Sequence, residues 1–195
     1  MKEQLEYFIR SRLKNPNNHE IKSILEIFHL KHFQKGEYFK RHENICKHLG
    51  FVLEGSVRHY AIKNNGSEMT GRISKKNDFV TDIISVRTKG ETPISIKAIE
   101  SSSILIATTN DVDHLLETNL TFNRLLREYM ADNVVEMGKM RLLFLMGTAK
   151  ERYKLILENN PNLLKSVPLR FIASMIGITP TQLSRIRNKN KNQLK

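Results

Sequence analysis

The chain of 195 residues carries one cysteine, Cys46, and five prolines. A single thiol excludes, within one chain, a disulfide framework, a Cys-only zinc site and a cysteine-ligated iron–sulfur cluster. Cys46 reads as a plain buried thiol. No apolar run approaches the ~18 residues of a membrane-spanning helix, and Met1-Lys2-Glu3-Gln4 lacks the apolar core of a signal peptide. There is no Gly-x-Ser-x-Gly, no P-loop and no carboxylate pair spaced for hydrolysis. The histidines hold no metal pattern: His42, His48 and His59 are scattered without a His-x-His, and His29 and His32, three apart, lack a third ligand. These absences predict a cytoplasmic protein that is not an enzyme, with no catalytic residue, no resident metal or cofactor and no membrane partner. A cupin-type metalloenzyme is the least favoured alternative.

Acidic charge is scarce as well. Twenty Asp and Glu face 32 Lys and Arg, for a net charge of +12. From Thr148 to Lys195 ten Lys and Arg meet only two Glu, so two thirds of the excess sits in the last quarter of the chain. A basic segment on a nearly balanced remainder points to a polyanionic partner.

The order of patterns predicts an α+β chain with real cores. Leu5, Phe8, Ile9 and Leu13 share one helical face, Pro16-Asn17-Asn18 interrupts it, and Ile21, Ile24, Leu25 and Phe28 resume it. From Lys31 to about Thr109 turn residues separate short segments such as Phe51-Val52-Leu53, Val57 to Ile62 and Ile94 to Ile99. Asn65-Gly66 between two of them is a hairpin signal. The run predicts a small antiparallel barrel or jelly roll. Beyond it Leu126, Met130, Val134, Met137, Arg141 and Phe144 step by 4, 4, 3, 4 and 3, a seam close to heptad period. A helix this apolar needs its own barrel on one side and the same helix of a second subunit on the other, so a homodimer is expected.

Val167 to Arg187 reads as two short helices joined by a tight turn. Ile172, Ala173 and Ile176 give the first an apolar face, and Gly177 ends it in the left-handed region. Thr179 offers a cap and Pro180 fits the first helical position. Leu183 and Ile186 face inward, leaving Thr181, Gln182, Ser184, Arg185 and Arg187 outside. An arginine binds guanine O6 and N7 together, and Gln does the same for adenine, so this face suits a major groove.

Sheet segment, long helix and helix pair in this order resemble the Crp/Fnr superfamily of bacterial transcription regulators over almost the whole chain. Three stretches carry the likeness: Ile172 to Arg187, the glycine-punctuated Phe51-Val52-Leu53-Glu54-Gly55-Ser56-Val57-Arg58, and Ala98-Ile99-Glu100 after Ser95-Ile96. The resemblance implies a cyclic-nucleotide-binding-like sensor over 1–119, a dimerisation helix over 120–146 and a helix-turn-helix domain over 147–195 that has no room for a full wing. It also implies a homodimer on near-palindromic double-stranded DNA, with RNA polymerase as a further candidate partner. By position, Pro180, Thr181, Ser184 and Arg185 fall where the family reads bases, Arg185 foremost. Thr179, Arg187 and Arg170 suit phosphate, and Lys189 belongs to the basic tail.

Relatives that bind cyclic AMP carry a Gly-Glu pair and, ten residues after its Glu, an Arg followed by a small hydroxylic residue. Alignment through Asn77-Asp78-Phe79 puts Thr81-Asp82 and Thr92-Pro93 at those places, and Met137-Gly138 at the hydroxyl pair that recognises adenine. Thr92 cannot pair with a phosphate as a guanidinium does. Cyclic AMP in the usual mode is therefore not expected and the effector is unknown; Arg87, Lys89 and Lys97 are the candidate cations for another anionic ligand. A small-ligand regulatory module is the alternative reading.

Overall fold

The computed structural model describes residues 1–159, 163 and 167–192, with backbone alone at 159 and 189–192. Helices α1 (Glu3–Arg12) and α2 (Asn18–Ile27) lead into strands β1 (His29–Phe33), β2 (Tyr38–Lys40), β3 (His48–Glu54), β4 (Ser56–Ile62), β5 (Glu68–Lys75) and β6 (Phe79–Val80). Helix α3 (Ile83–Thr88) precedes β7 (Ile94–Ala98) and β8 (Ser102–Thr108). Then come α4 (Thr109–Thr118), α5 (Leu120–Met146), α6 (Ala149–Asn159), α7 (Leu169–Met175) and α8 (Pro180–Asn192). Contacts divide the chain into two compact units, Met1–Ala61 with Arg72–Ala131, and Ile62–Gly71 with Asp132–Lys195. This contact division falls inside α5 and groups Ile62 of β4 and Glu68–Gly71 of β5 with the hairpin turn in the second unit.

The strands form two four-stranded sheets, β1-β8-β3-β6 and β2-β7-β4-β5. The pairings of β1, β3, β6 and β8, and of β2 and β4 with β7, are antiparallel. This is the double-sheet arrangement of a jelly roll. The sheets stay open, so the closed barrel among the expectations is corrected: β2 and β6, three and two residues long, are too short to seal the seams.

The apolar run Phe51-Val52-Leu53 follows from burial on both faces. Leu49, Phe51 and Leu53 join Leu105 and Ala107 under the helices, in a core shared with Phe8, Ile9, Ile24, Phe122 and Leu125. Val52 points the other way, with Val57, Ile96, Ala98 and Ile104 between the sheets. Strand alternation thus sends neighbours to two different cores. Phe8, Phe51, Phe79 and Tyr129 pack ring against ring, and the Tyr129 hydroxyl accepts from the Phe79 N–H at 3.0 Å. Gly55 makes the β3–β4 turn at φ +82, where a Cβ would lie 2.5 Å from the Ser101 carbonyl oxygen.

The second unit packs Tyr153, Ile156, Leu163, Val167, Ile172, Ala173, Ile176 and Leu183 into its own core. Arg152 joins three backbone carbonyls: its guanidinium donates to Leu143 O (3.2 Å), Gly147 O (3.0 Å) and Ile176 O (2.9 Å) while lying 4.7 Å over the Phe144 ring. Gly147 closes the last turn of α5 and Thr148 caps α6. The Thr148 hydroxyl accepts from Glu151 N, and the Glu151 carboxylate receives Thr148 N at 2.7 Å. Asn64-Asn65-Gly66 forms the predicted hairpin turn, Gly66 at φ +78. In β5, just beyond the turn, Thr70 N donates to Ser174 Oγ (2.9 Å), which donates in turn to Glu68 O (2.8 Å).

Candidate functional sites

Helices α7 and α8 meet through a tight, hydrogen-bonded turn. Ile178 N donates to Ala173 O at 3.0 Å and Gly177 N to Ser174 O at 3.3 Å, the paired bonds of a Schellman ending. Gly177 takes φ +73, and a Cβ there would stand 3.1 Å from the Phe144 ring. Thr179 then caps α8 reciprocally with Gln182: Gln182 N donates to Thr179 Oγ1 (3.2 Å) and Thr179 N to Gln182 Oε1 (2.9 Å). The Thr-Pro-Thr-Gln segment is a capping box.

That box changes two of the expected roles. The Gln182 amide oxygen is drawn back onto the helix start, so it is not presented for bidentate contact with adenine. The Thr179 hydroxyl is likewise committed to the cap. Arg187 lies four residues after Leu183, on the inward side of α8; it is half-buried beside Tyr153. Burial raises the Tyr153 pKa, and the Arg187 charge and hydrogen bond work against that rise. Pro180, Thr181, Ser184 and Arg185 are exposed. With Asn188, residues 181, 184, 185 and 188 form one polar stripe opposite the fully buried Leu183. Arg170 is exposed with its guanidinium 4.8 Å over Phe171. The Lys189 side chain lies outside the described residues.

On α5 the seam divides. Leu126 is buried in the first unit's core with Phe122, Leu125 and Tyr129, so it is removed from the expected dimer face. Met130, Val134 and Met137 are exposed at 46%, 68% and 71%, together with Val135, Leu142, Leu145 and Met146. Phe144 is partly covered by Arg152.

Between the sheets the expected pocket residues are brought together only in part. Asp82 and Thr92 are buried and hydrogen-bonded to each other, and the Thr81 hydroxyl donates to His48 O. Pro93 is exposed, and Met137 and Gly138 are exposed in the second unit. The cation at this site is none of Arg87, Lys89 and Lys97. It is Lys40, whose ammonium reaches Asp82 Oδ2 at 2.8 Å, Thr92 Oγ1 at 2.7 Å and Ile94 O at 2.9 Å. Burial raises the Asp82 pKa, but Lys40, the Thr92 hydroxyl and Ser85 N outweigh it and hold the carboxyl below its usual range. Beside them His59 places Nε2 3.1 Å from Ser74 Oγ, and its burial, with the charge of Arg72, lowers its pKa to about 3. Among the described residues no three of His, Cys, Asp and Glu gather to hold a metal ion, and no helix is long and apolar enough to cross a membrane.

Comparison with known proteins places these features. Residues 30–119 match the family model of the cyclic nucleotide-binding domain. Among solved structures, FixK2 from Bradyrhizobium japonicum superposes with a TM-score of 0.73 at 17% identity, covering 86% of each chain. A CooA variant from Carboxydothermus hydrogenoformans gives 0.67 at 16%, covering 87% of this chain and 79% of that one. A regulator of the Crp/Fnr family from Eubacterium rectale gives 0.63 at 16%, covering 91% and 84%. At such identities the likeness is one of fold. No curated protein sequence matches the chain.

Proposed function

We propose that this chain, which matches the cyclic nucleotide-binding domain over residues 30–119 and shares the fold of the Crp/Fnr transcription regulators, is a sequence-specific DNA-binding regulator that acts as a homodimer. The observation that carries the reading is the α8 stripe. Thr181, Ser184, Arg185 and Asn188 are turned to solvent on a helix whose opposite side is fixed by Leu183 and whose start is fixed by a reciprocal cap. Such a helix is short, rigid at its N-terminus and cationic outside, the shape that enters a major groove. The uncovered Met130, Val134 and Met137 supply the seam for a second copy, which would set two recognition helices about 34 Å apart on a near-palindrome. Arg185 reads guanine in this proposal, and Thr181 and Ser184 contact base edges or phosphate. RNA polymerase is a further partner, and the turn at Gly147-Thr148 is where the pose of the helix pair changes. Cyclic AMP does not gate the protein in the usual mode, because Thr92 stands where a guanidinium would be required.

Selection of random duplex DNA by the purified protein, with Arg185→Ala in parallel, tests this. Wild type enriches a near-palindrome without added ligand, and the variant loses about 1–3 kcal/mol on that site while keeping its fold. Equal binding of both proteins to all sequences overturns the proposal.

A further inference from the structure

The space between the sheets holds a charged side chain that DNA binding does not use. Lys40 ends β2 opposite Ile96, a core residue, and turns inward. Its side chain is 2% exposed and that of Asp82 1%. An ammonium has three N–H donors, and the three acceptors within reach are Asp82 Oδ2, Thr92 Oγ1 and Ile94 O. Asp82 is satisfied in turn: Oδ2 also accepts the Thr92 hydroxyl, and Oδ1 accepts Ser85 N at 3.2 Å as the cap of α3. Among the described residues no buried side-chain nitrogen or oxygen lacks a partner. His59 beside them is neutral, so the Lys40–Asp82 pair cancels to zero charge.

A buried ion pair is a costly way to fill a core, since apolar side chains of the same volume usually serve stability as well or better. Here the pair does what a bound ligand does: an aliphatic stem fills the gap between the sheets and a polar head meets a carboxylate, a hydroxyl and a carbonyl. A ligand entering from solution would find no unmatched charge and would first have to break these bonds. We infer that the Lys40 side chain is the built-in occupant of the interior site formed by Asp82, Thr92 and the Ile94 carbonyl, and that this site takes no effector from solution. The disagreement with cyclic nucleotides goes beyond the missing arginine: the position is filled from within.

Lys40→Ala removes three methylenes and the ammonium, a fragment the size of n-propylammonium. The variant melts about 10 °C below wild type, because Asp82 is left buried without its partner. Millimolar n-propylammonium chloride recovers much of that loss, n-propanol and sodium chloride at the same concentration do not, and wild type responds to none of them. A variant that responds to n-propylammonium no more than to sodium chloride overturns the inference, as does a wild type whose melting temperature rises with cyclic AMP or cyclic GMP. Should Lys40→Ala fail to fold, acetylation of the native wild-type protein, read by peptide mass spectrometry, decides instead. Lys40 is modified at least about tenfold more slowly than exposed Lys63, as opening-limited access requires, and labelling at the surface rate refutes a closed site. Neither measurement involves DNA, so the DNA-binding proposal can fail without touching this one, and the reverse.

Discussion

His59 occupies an inward position of β4, where burial and then the positive charge of Arg72 bring its pKa down from 6.5 to about 3. In the unfolded chain the same imidazole titrates near 6.5. Above that pH both states are neutral and the residue adds no pH dependence. As the pH falls, the unfolded state takes up a proton that the folded state refuses, so stability declines by about 1.4 kcal/mol per unit until the folded pKa is reached. Urea unfolding of wild type and His59→Gln between about pH 4 and 6 isolates this slope, and the variant is flatter by that amount. Equal slopes would mean that His59 is solvated. Asp82 does not confuse the window. Its folded pKa lies below the unfolded value near 3.9, so its stabilisation is complete above that value and is lost only as the pH drops below it. Asp78, raised by burial, titrates in the opposite sense, but identically in both proteins.

At the scale of elements, α5 is one helix with two environments. From Phe122 through Tyr129 its apolar residues lie in the first unit's core, whereas Leu120 is exposed; from Met130 onward Met130, Val134, Val135, Met137, Leu142, Leu145 and Met146 face solvent and Met140 and Leu143 are half-buried. Val134 and Met137, 68% and 71% exposed, contribute on the order of 3 kcal/mol when a second copy buries them. Val134→Glu with Met137→Glu therefore raises the dimer dissociation constant by about a hundredfold or more, measured by sedimentation, while the first unit melts unchanged. A wild type that sediments as a monomer at micromolar concentration would refute the seam. The heptad steps make the helix legible in sequence, but period cannot say where one partner surface ends and another begins, so the spacing groups Leu126 with Met130. The helix pair was legible from Gly177, Thr179 and Pro180. Gln182 was visible too, since Thr-x-x-Gln is a capping pattern, yet the same amide suits adenine and spacing alone does not choose. Lys40 was hidden for another reason: a strand of three residues is too short for alternation to show which way its lysine points.

Over the whole molecule, charge is the property that composition made plainest and that the fold distributes. Ten Lys and Arg against two Glu lie between Thr148 and Lys195, and the apolar side of that region is occupied by its core, leaving Arg170 and Arg185 at the surface. In the proposed complex with DNA the two arginines differ in task. Arg185 stands on the exposed stripe of α8, whereas Arg170 opens α7, where a phosphate oxygen rather than a base edge would meet it. Phosphate contacts release counterions, so each contributes about 0.9 to the slope of log affinity against log salt and acts on every sequence alike. Arg170→Gln in a dimer removes two such contacts. It lowers the slope by about 2 and weakens cognate and random duplexes by the same factor. Arg185→Ala does the reverse, narrowing the gap between cognate and random DNA while changing the slope less. Fluorescence anisotropy across a salt series on both duplexes separates the two. If Arg170→Gln discriminated against the cognate site alone, α7 rather than α8 would be the reading helix, and the assignment of the polar stripe would be wrong.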